Sequence, residues 1–175
     1  MAEPWCVVGG WAIDLFLGRP TREHHDIEVA VGPRGFEAAR FALEDHELFV
    51  VGDGLAWPLS ERTLAAHHQA WVRDPGTDTW RLDLFREPWE GDTWVFRRDH
   101  RIRLPLPRVI SRTPEGIPYV RPEIVLLFKA KAPSAKDEAD LTVTLPRLDR
   151  PARAWLERAL QLVHPGHPWL AVLPG

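Results

Sequence analysis

The sequence predicts a mixed α/β protein whose last third is helical. Three patterns indicate this fold class: short apolar runs broken by glycines near the start, strand-like alternation in the middle, and helical spacing of apolar residues afterwards. A chain of 175 residues, 45% of them hydrophobic, is long enough to bury the core of one domain. We therefore expect an α/β core over residues 1–118 and a C-terminal helical segment over residues 119–175.

Strands and helices alternate in the first half of the chain. Residues 5–8 predict a strand that ends at Gly9-Gly10, and "WAIDLFLG" predicts a helix that Gly18 ends. Residues 27–31 predict a second strand. The helical spacing of "PRGFEAARFALEDH" predicts another helix, and "LFVV" predicts a further strand.

The second half passes from hairpins to helices. "QAWVRD" and "WRLDLFRE", joined by "PGTDT", predict one hairpin, and "TWVFRRDHRIRLPL" predicts another. Pro122 stands near a helix start, where its missing N–H costs nothing. Ser134 and Asp137 have the spacing of a capping box, and a last helix is predicted to start beside Asp149.

Composition narrows the function classes. The formal net charge is −3 and the pI about 6.2, which argues against a basic nucleic-acid-binding surface. The single cysteine, Cys6, excludes an internal disulfide. No stretch has the pattern of a leader peptide or a membrane span, so we expect a cytoplasmic protein.

Two carboxylates stand at alternate positions where the second strand begins. Asp26 and Glu28 would project from one face of that strand, because side chains alternate along a strand. Two carboxylates held so close repel, and one takes up a proton unless a divalent cation compensates them. Magnesium favours such oxygen ligands and shares its site with substrate phosphates. The alternative is an ordinary exposed strand.

A third carboxylate and a pair of glycines extend this pattern. Asp83 alternates with apolar neighbours in "WRLDLFRE", so it either joins the other two acids or faces solvent. Gly9 and Gly10 lie between a strand and a helix, where backbone N–H groups can receive a phosphate. An ordinary tight turn is the alternative, since neither G-x-G-x-x-G nor a Walker motif is present.

The lysines are unusually few and close together. All three, Lys129, Lys131 and Lys136, fall within eight residues. Lysine is a compact, mobile charge suited to phosphate, and the alternative is an exposed helical face.

The stretch "GGWAIDLFLGRPTREHHDIEV" resembles the nucleotidyltransferase superfamily that includes DNA polymerase beta. Within it, the sequence is most similar to the branch of aminoglycoside 2''-adenylyltransferases and lincosamide nucleotidyltransferases. "WRLDLFRE", "PEIVLLFKAK" and "KDEADL" extend the resemblance over most of the chain. It implies a mixed, mostly antiparallel sheet flanked by helices, followed by a small helical segment.

The resemblance also implies roles for the acids and glycines. Gly9 and Gly10 would hold the phosphates of a nucleoside triphosphate. Asp26 and Glu28 would bind two magnesium ions that bridge the triphosphate. Asp83 would complete the metal site or take the proton from the acceptor hydroxyl. Glu28 departs from the aspartate that many members have at this position.

Basic residues would contact the nucleotide. The resemblance assigns Lys131 or Lys136 to the triphosphate, with Lys129 a weaker candidate. Arg22 and Arg19 flank the loop before "DIE" and either pair with phosphate or brace Asp26. A zinc site at the histidines beside Asp26 is disfavoured, because no further ligand stands nearby.

The implied reaction moves AMP, from ATP or another nucleoside triphosphate, to a hydroxyl of a small molecule. An aminoglycoside antibiotic is the leading acceptor. Because it is a polycation, its pocket should be acidic, with Glu87, Glu90 and Asp92 available. Two alternatives stay open: a toxin–antitoxin-type enzyme acting on RNA or protein, and a nucleotide-binding module without catalysis. A membrane partner is not expected, and the oligomeric state is not predicted.

Aromatic side chains are candidates for stacking on a base or a sugar. Trp57, Trp89 and Trp94 lie near polar loops, whereas most of the nine tryptophans should be core residues.

Overall fold

An eight-stranded sheet forms the centre of the protein, for which a computed structural model describes residues 3–173. The strands of the chain are β1 (Trp5–Val7), β2 (Glu28–Val31), β3 (Glu47–Gly52), β4 (Leu55–Pro58), β5 (Gln69–Asp74), β6 (Thr79–Arg86), β7 (Thr93–Val95), β8 (Arg103–Pro105), β9 (Ile110–Arg112) and β10 (Pro118–Val120). The sheet has the order β4-β3-β5-β6-β2-β1-β10-β9, and β7 and β8 form a separate two-stranded ribbon.

Most neighbouring strands run antiparallel. The exceptions are β1 with β10 and β2 with β6, which pair in parallel. The predicted mixed, mostly antiparallel sheet is therefore confirmed, as are both predicted hairpins, β5–β6 and β7–β8.

The helices are α1 (Gly9–Leu17), α2 (Pro33–Ala42), α3 (Glu61–Ala66), α4 (Pro122–Lys129), α5 (Ala135–Thr144) and α6 (Arg150–Val163). Their ends follow the predicted signals. Gly18 ends α1 in the left-handed conformation, with φ 69°. Ser134 and Asp137 form a capping box at the start of α5, and Asp149 accepts a hydrogen bond from the Ala152 N–H at the start of α6. Each such cap stabilises its helix by about 1 kcal/mol.

The sheet separates two hydrophobic clusters. Phe36 of α2 packs with Val31, Val50 and Leu84 in the smaller one. The larger one joins helices α1, α4, α5 and α6 to the other side of the sheet and includes Cys6 and Ala30. Because β-strand side chains alternate, the residues on the side of Ala30 include Glu28, two positions earlier. The larger cluster therefore borders the predicted acids.

Four elements were not predicted: β4, α3, β9 and β10. The last two are only three residues long, too short for a periodic pattern to appear. The first strand is also one residue shorter than predicted and ends at Val7.

The C-terminal third contributes to the sheet itself. β10 lies between β1 and β9, so the boundary predicted between residues 118 and 119 falls inside a strand of the sheet. Within residues 3–173, every helix is too short or too polar to span a bilayer.

Candidate active site

Three carboxylates form one electrostatic unit at the start of β2. Glu28 pairs in register with Asp83 of β6, so the two side chains project from the same face of the sheet. Burial raises the pKa of the Glu28 carboxyl, and the charges of Asp26 and Asp83 raise it further. Asp26 is exposed and immediately precedes the strand. The structure thus brings the three predicted acids within electrostatic range of one another, and their mutual repulsion favours a bound cation.

Asp83 is oriented by a neighbour on the next strand. The Gln69 side-chain amide donates a hydrogen bond of 2.8 Å to Asp83 Oδ2. Burial raises the pKa of Asp83 and the charge of Asp26 adds to the rise, whereas the Gln69 hydrogen bond opposes it. Gln69 therefore favours the ionised form of a carboxylate that its surroundings would otherwise protonate.

Gly9 permits the close approach of Glu28 to helix α1. Its φ is 63°, and a Cβ atom built at this position would lie 1.5 Å from Glu28 Oε2. No residue with a side chain fits there without displacing the carboxylate. Gly9 and Gly10 are the first two residues of α1, so their N–H groups lie at the helix end that favours anions.

Gly10 leaves space for the loop that precedes β2. A Cβ atom there would lie 2.2 Å from Arg22 Nη2 and 2.6 Å from His24 Cε1. His24 Nε2 is hydrogen-bonded to Asp14 Oδ2 of α1 at 2.6 Å. The loop is therefore held directly against the helix, and His24 serves this contact.

Two further hydrogen bonds fix the same loop. The Thr21 N–H donates to Asp14 Oδ1 at 3.0 Å, and Trp11 Nε1 donates to the Asp26 carbonyl at 3.0 Å. The Trp11 and His24 rings are stacked at a tilt, with centroids 4.6 Å apart. Helix α1 thus positions the backbone of Asp26, a role that the sequence pattern did not reveal.

A buried aspartate of the C-terminal segment binds cations from both halves of the chain. Asp140 is 2% exposed and lies 3.3 Å from Arg22 Nε and 3.0 Å from Lys129 Nζ. Lys129 also contacts Asp137 at 2.6 Å. Burial disfavours the charge of Lys129, but these two carboxylates raise its pKa. Arg22, predicted to bind phosphate or to brace Asp26, is thus paired with Asp140.

The three lysines occupy different surroundings. Lys129 and Lys131 line a cavity of about 530 Å³ that Gly9 and Glu28 also line. Lys136 is exposed on α5 and does not line this cavity. The structure therefore places Lys129, the weaker candidate in the sequence, on the same cavity as Glu28.

Arginines also line this cavity. Arg97 and Arg98, which follow β7, line it together with Glu87 and Trp89. Glu87 is 4% exposed and forms an ion pair with Arg97. Burial raises the pKa of Glu87, and Arg97 opposes this.

The acidic acceptor pocket predicted from Glu87, Glu90 and Asp92 is not formed. Glu87 is neutralised by Arg97, and Glu90 is paired with Arg103 of β8. Ion pairs neutralise two of the three acids, and the spacing of residues in the sequence could not reveal these pairs.

The predicted stacking residues are divided. Trp89 and Trp94 are buried in the larger hydrophobic cluster while lining the cavity. Trp57 lies elsewhere and stacks on His67, with centroids 5.2 Å apart.

The acids suit a metal that shares its ligands with a substrate. Across residues 3–173, no three His, Cys, Asp or Glu side chains converge closely enough to hold an ion by themselves. Glu28 and Asp83 nevertheless supply two neighbouring carboxylates whose charge is under-compensated. Magnesium is commonly bound by one or two carboxylates plus substrate phosphates, and this donor set fits that mode.

Comparisons with known proteins agree with this geometry. A protein-family model described as aminoglycoside-2''-adenylyltransferase matches residues 1–69, which include Gly9, Gly10, Asp26 and Glu28. No curated protein matches the chain by sequence.

Solved structures extend the likeness to most of the chain. A lincosamide antibiotic adenylyltransferase, LnuA with bound lincomycin, is 18% identical with a TM-score of 0.55, over 79% of this chain and 84% of that one. The antibiotic-resistance factor ANT(2'')-Ia in solution is 17% identical with a TM-score of 0.58, over 91% and 83%. ANT(2'')-Ia in complex with adenylyl-2''-tobramycin is 16% identical with a TM-score of 0.50, over 98% and 84%.

These matches confirm the resemblance stated from the sequence. The chain has the nucleotidyltransferase fold, and its first 69 residues match the aminoglycoside-2''-adenylyltransferase family.

Proposed function

We propose that this protein is a metal-dependent nucleotidyltransferase that moves a nucleoside monophosphate, most simply AMP from ATP, to a hydroxyl of a small molecule. The observation that carries this proposal is the pairing of Glu28 with Asp83 beside the glycine start of α1. The N-terminal family match and the adenylyltransferase neighbours support the same reaction class.

Magnesium would be held by Asp26, Glu28 and Asp83 together with phosphate oxygens of the substrate. When bound, two such ions supply charge stabilisation to the entering and leaving oxygens of an in-line displacement. The protein's own contribution is mainly to position the reactants, because phosphoryl chemistry asks little covalent work of side chains. Gln69 and the Trp11 contact hold two of these acids in place.

The nucleotide would lie in the cavity between the sheet and the C-terminal segment. Gly9 and Gly10 offer backbone N–H groups at the start of α1, and Lys131 faces the cavity from the end of α4. Arg22 would contribute to nucleotide binding indirectly, because its contact with Asp140 fixes the loop before β2. Lys136 does not line this cavity.

Asp83 is the proposed residue for either completing the metal site or accepting the proton of the acceptor hydroxyl. Its raised pKa brings it closer to the range in which a carboxylate works as a base. The two roles differ in a measurable way. An Asp83→Asn variant that still binds Mg–ATP normally but fails in turnover indicates the base, whereas weakened Mg–ATP binding indicates the ligand.

The experiment for this function measures pyrophosphate release with ATP and Mg²⁺ over a panel of hydroxyl-bearing acceptors. The panel includes an aminoglycoside and a lincosamide, because the neighbouring structures contain tobramycin and lincomycin. Asp26→Asn should reduce acceptor-dependent release on the order of 10²–10³-fold, the cost of losing one electrostatic stabiliser. The exposed Asp45→Asn, which leaves the site untouched, is the matched control. Normal turnover by a folded Asp26→Asn protein would rule out this mechanism.

A further inference from the structure

We propose that the acceptor carries an anionic group, a phosphate or a carboxylate, which binds to arginines that line the cavity and an adjoining depression. This inference rests on the function proposed above and specifies the class of its acceptor. The arginine end is defined by Arg86, Arg97 and Arg98. It replaces the acidic pocket expected for a polycationic acceptor.

The arginine end has room for a ligand group. A second depression, of about 590 Å³, is lined by all three arginines. It shares Arg97, Arg98 and Lys131 with the cavity that contains Glu28. The two spaces therefore adjoin at these three residues.

Positive charge exceeds negative charge in this region. Only Arg97 is paired with a carboxylate, that of Glu87. Arg98 Nη1 donates to the Phe128 carbonyl at 2.6 Å, and Arg86 Nη2 donates to the Leu64 carbonyl. Within residues 3–173, neither of these two arginines has an ion-pair partner. Carbonyls orient the guanidinium groups without neutralising them.

The pKa of a histidine beside the arginines is affected by the same excess of positive charge. Burial lowers the pKa of His68 to about 4, and the nearby Arg97 and Arg98 contribute. Burial also lowers the pKa of Arg98, with Arg97 adding to it. His68 is therefore neutral near pH 7, and an anion between the arginines would relieve repulsion that the protein itself leaves in place.

The lining of the second depression distinguishes this anion from the nucleotide. All three arginines line that depression, whereas Gly9 and Glu28, which are proposed to bind the nucleotide's phosphates and metal, line only the other cavity. The phosphates of a triphosphate stay beside the metal ions that bridge them. We therefore assign an anionic group in the second depression to the acceptor, and competition with a bound nucleotide analogue tests this assignment.

The test uses inorganic phosphate as the probe and the full-length protein saturated with a non-hydrolysable ATP analogue and Mg²⁺. With the nucleotide's own phosphate sites filled, calorimetric titration of phosphate reports a second anion site. We expect phosphate to bind with similar affinity in the presence and absence of the analogue. Arg98→Gln and Arg86→Gln should each weaken this binding about tenfold or more, as expected for a charge-assisted hydrogen bond.

Two control variants make the result specific. Arg98→Lys should restore part of the affinity because it keeps the charge, and Arg103→Gln on the ribbon should change nothing. Phosphate binding that disappears when the analogue is bound would assign the arginines to the nucleotide and overturn the proposal. Binding unaffected by Arg98→Gln would do the same. A short oligoribonucleotide that displaces phosphate and binds far more tightly would overturn the small-molecule acceptor, because it would indicate an RNA acceptor.

Failure of the proposed transferase reaction can be distinguished from failure of the proposed anionic acceptor. Failure of the ATP analogue to bind contradicts the proposed transferase, whereas phosphate titration of the nucleotide-free protein still tests the arginines. A bound analogue with no second phosphate site contradicts only the anionic acceptor.

Discussion

Negative charges cluster in one part of the cavity and positive charges in another, and the two clusters are compensated differently. At the carboxylate end, Glu28, Asp83 and Asp26 repel one another. At the arginine end, three guanidinium groups lie near one buried acid, Glu87, which is paired with Arg97. Each end is short of the charge that the other has in excess.

The compensation available near the carboxylates comes from residues already engaged elsewhere. The charges of Lys129 and Arg22 lower the pKa of Glu28, but both side chains are held by Asp140. The comparison shows that cations in the fold have two separate uses. Some bind distant segments of the chain together, and others keep an uncompensated charge that a bound ligand can neutralise.

The largest expected effect tests the cations that bind distant segments together. Asp140→Asn leaves Arg22 and part of Lys129 without their buried partner, so we expect a loss of about 3–5 kcal/mol in the free energy of unfolding. Denaturant unfolding measures it. Asp92→Asn, at an exposed position, is the control. A loss no larger than that of the control would mean that these contacts do not hold the two halves together.

The next effect concerns the one internal pair of the arginine end. Arg97→Gln leaves Glu87 buried without its partner and should cost about 2–3 kcal/mol near neutral pH. The pKa of Glu87, already raised by burial, should rise further in this variant. Because the folded state then binds the proton more tightly than the unfolded state, the deficit should grow as pH rises through the carboxylate range. Equilibrium unfolding at several pH values tests this sign.

A double variant separates charge from packing at the same place. Adding Glu87→Gln to Arg97→Gln removes the unpaired carboxylate, so most of the lost stability should return and the pH-dependent deficit should disappear. Persistent instability of the double variant would attribute the loss to the packing of Arg97 on Phe128 and Phe85.

A smaller effect of opposite sign is expected at the carboxylate end. Because the pKa of Glu28 is raised, the folded protein binds this proton more tightly than the unfolded chain does. The free energy of unfolding therefore falls as pH rises from the ordinary carboxylate range through the raised pKa of Glu28. Glu28→Gln should therefore raise the melting temperature at neutral pH by a few degrees without metal, and not at acidic pH. Thermal scans with and without Mg²⁺ and ATP test this. Added Mg–ATP should stabilise the wild type more than the variant, and Glu23→Gln on the exposed loop should behave like the wild type.

The smallest effect belongs to a single hydrogen bond. Trp11→Phe keeps an aromatic ring against His24 but removes the donor to the Asp26 carbonyl. We expect a stability loss of about 0.5–1 kcal/mol and a decrease in turnover of several-fold, from a less firmly held Asp26. Steady-state kinetics against the Asp26→Asn variant give the scale. A Trp11→Phe protein as inactive as Asp26→Asn would mean that the ring does more than position the loop.

The sequence predicted the acids and the glycines because their pattern is local. Gly9, Gly10, Asp26 and Glu28 lie within one short stretch, where strand alternation associates the two acids and the strand-to-helix position marks the glycines. For Asp83, alternation left a solvent-facing position open, and the family resemblance indicated its place beside the other acids. The fold class and both hairpins were predictable for the same reason, since each depends on neighbours along the chain.

The cations were harder to assign because their surroundings come from distant segments. Asp140 joins Arg22 to Lys129 across most of the chain, and no periodicity in the sequence marks that contact. Glu87 appeared to be an acid available for a polycation, and only the fold shows Arg97 beside it. The clustering of the three lysines was a usable signal, but it did not indicate which of them lines the cavity.

The place of β10 in the sheet has a consequence for biosynthesis. β1 pairs with β10, a strand that the ribosome makes only after about two thirds of the chain. Until then, the nascent protein presents an open sheet edge directly beside the glycine turn, and non-local pairing of this kind is slow to form. A chain whose translation stops before residue 118 would therefore carry every candidate metal ligand and still lack β10, the strand between β1 and β9. We expect such truncated products to be removed by cellular proteases rather than to persist as partial enzymes.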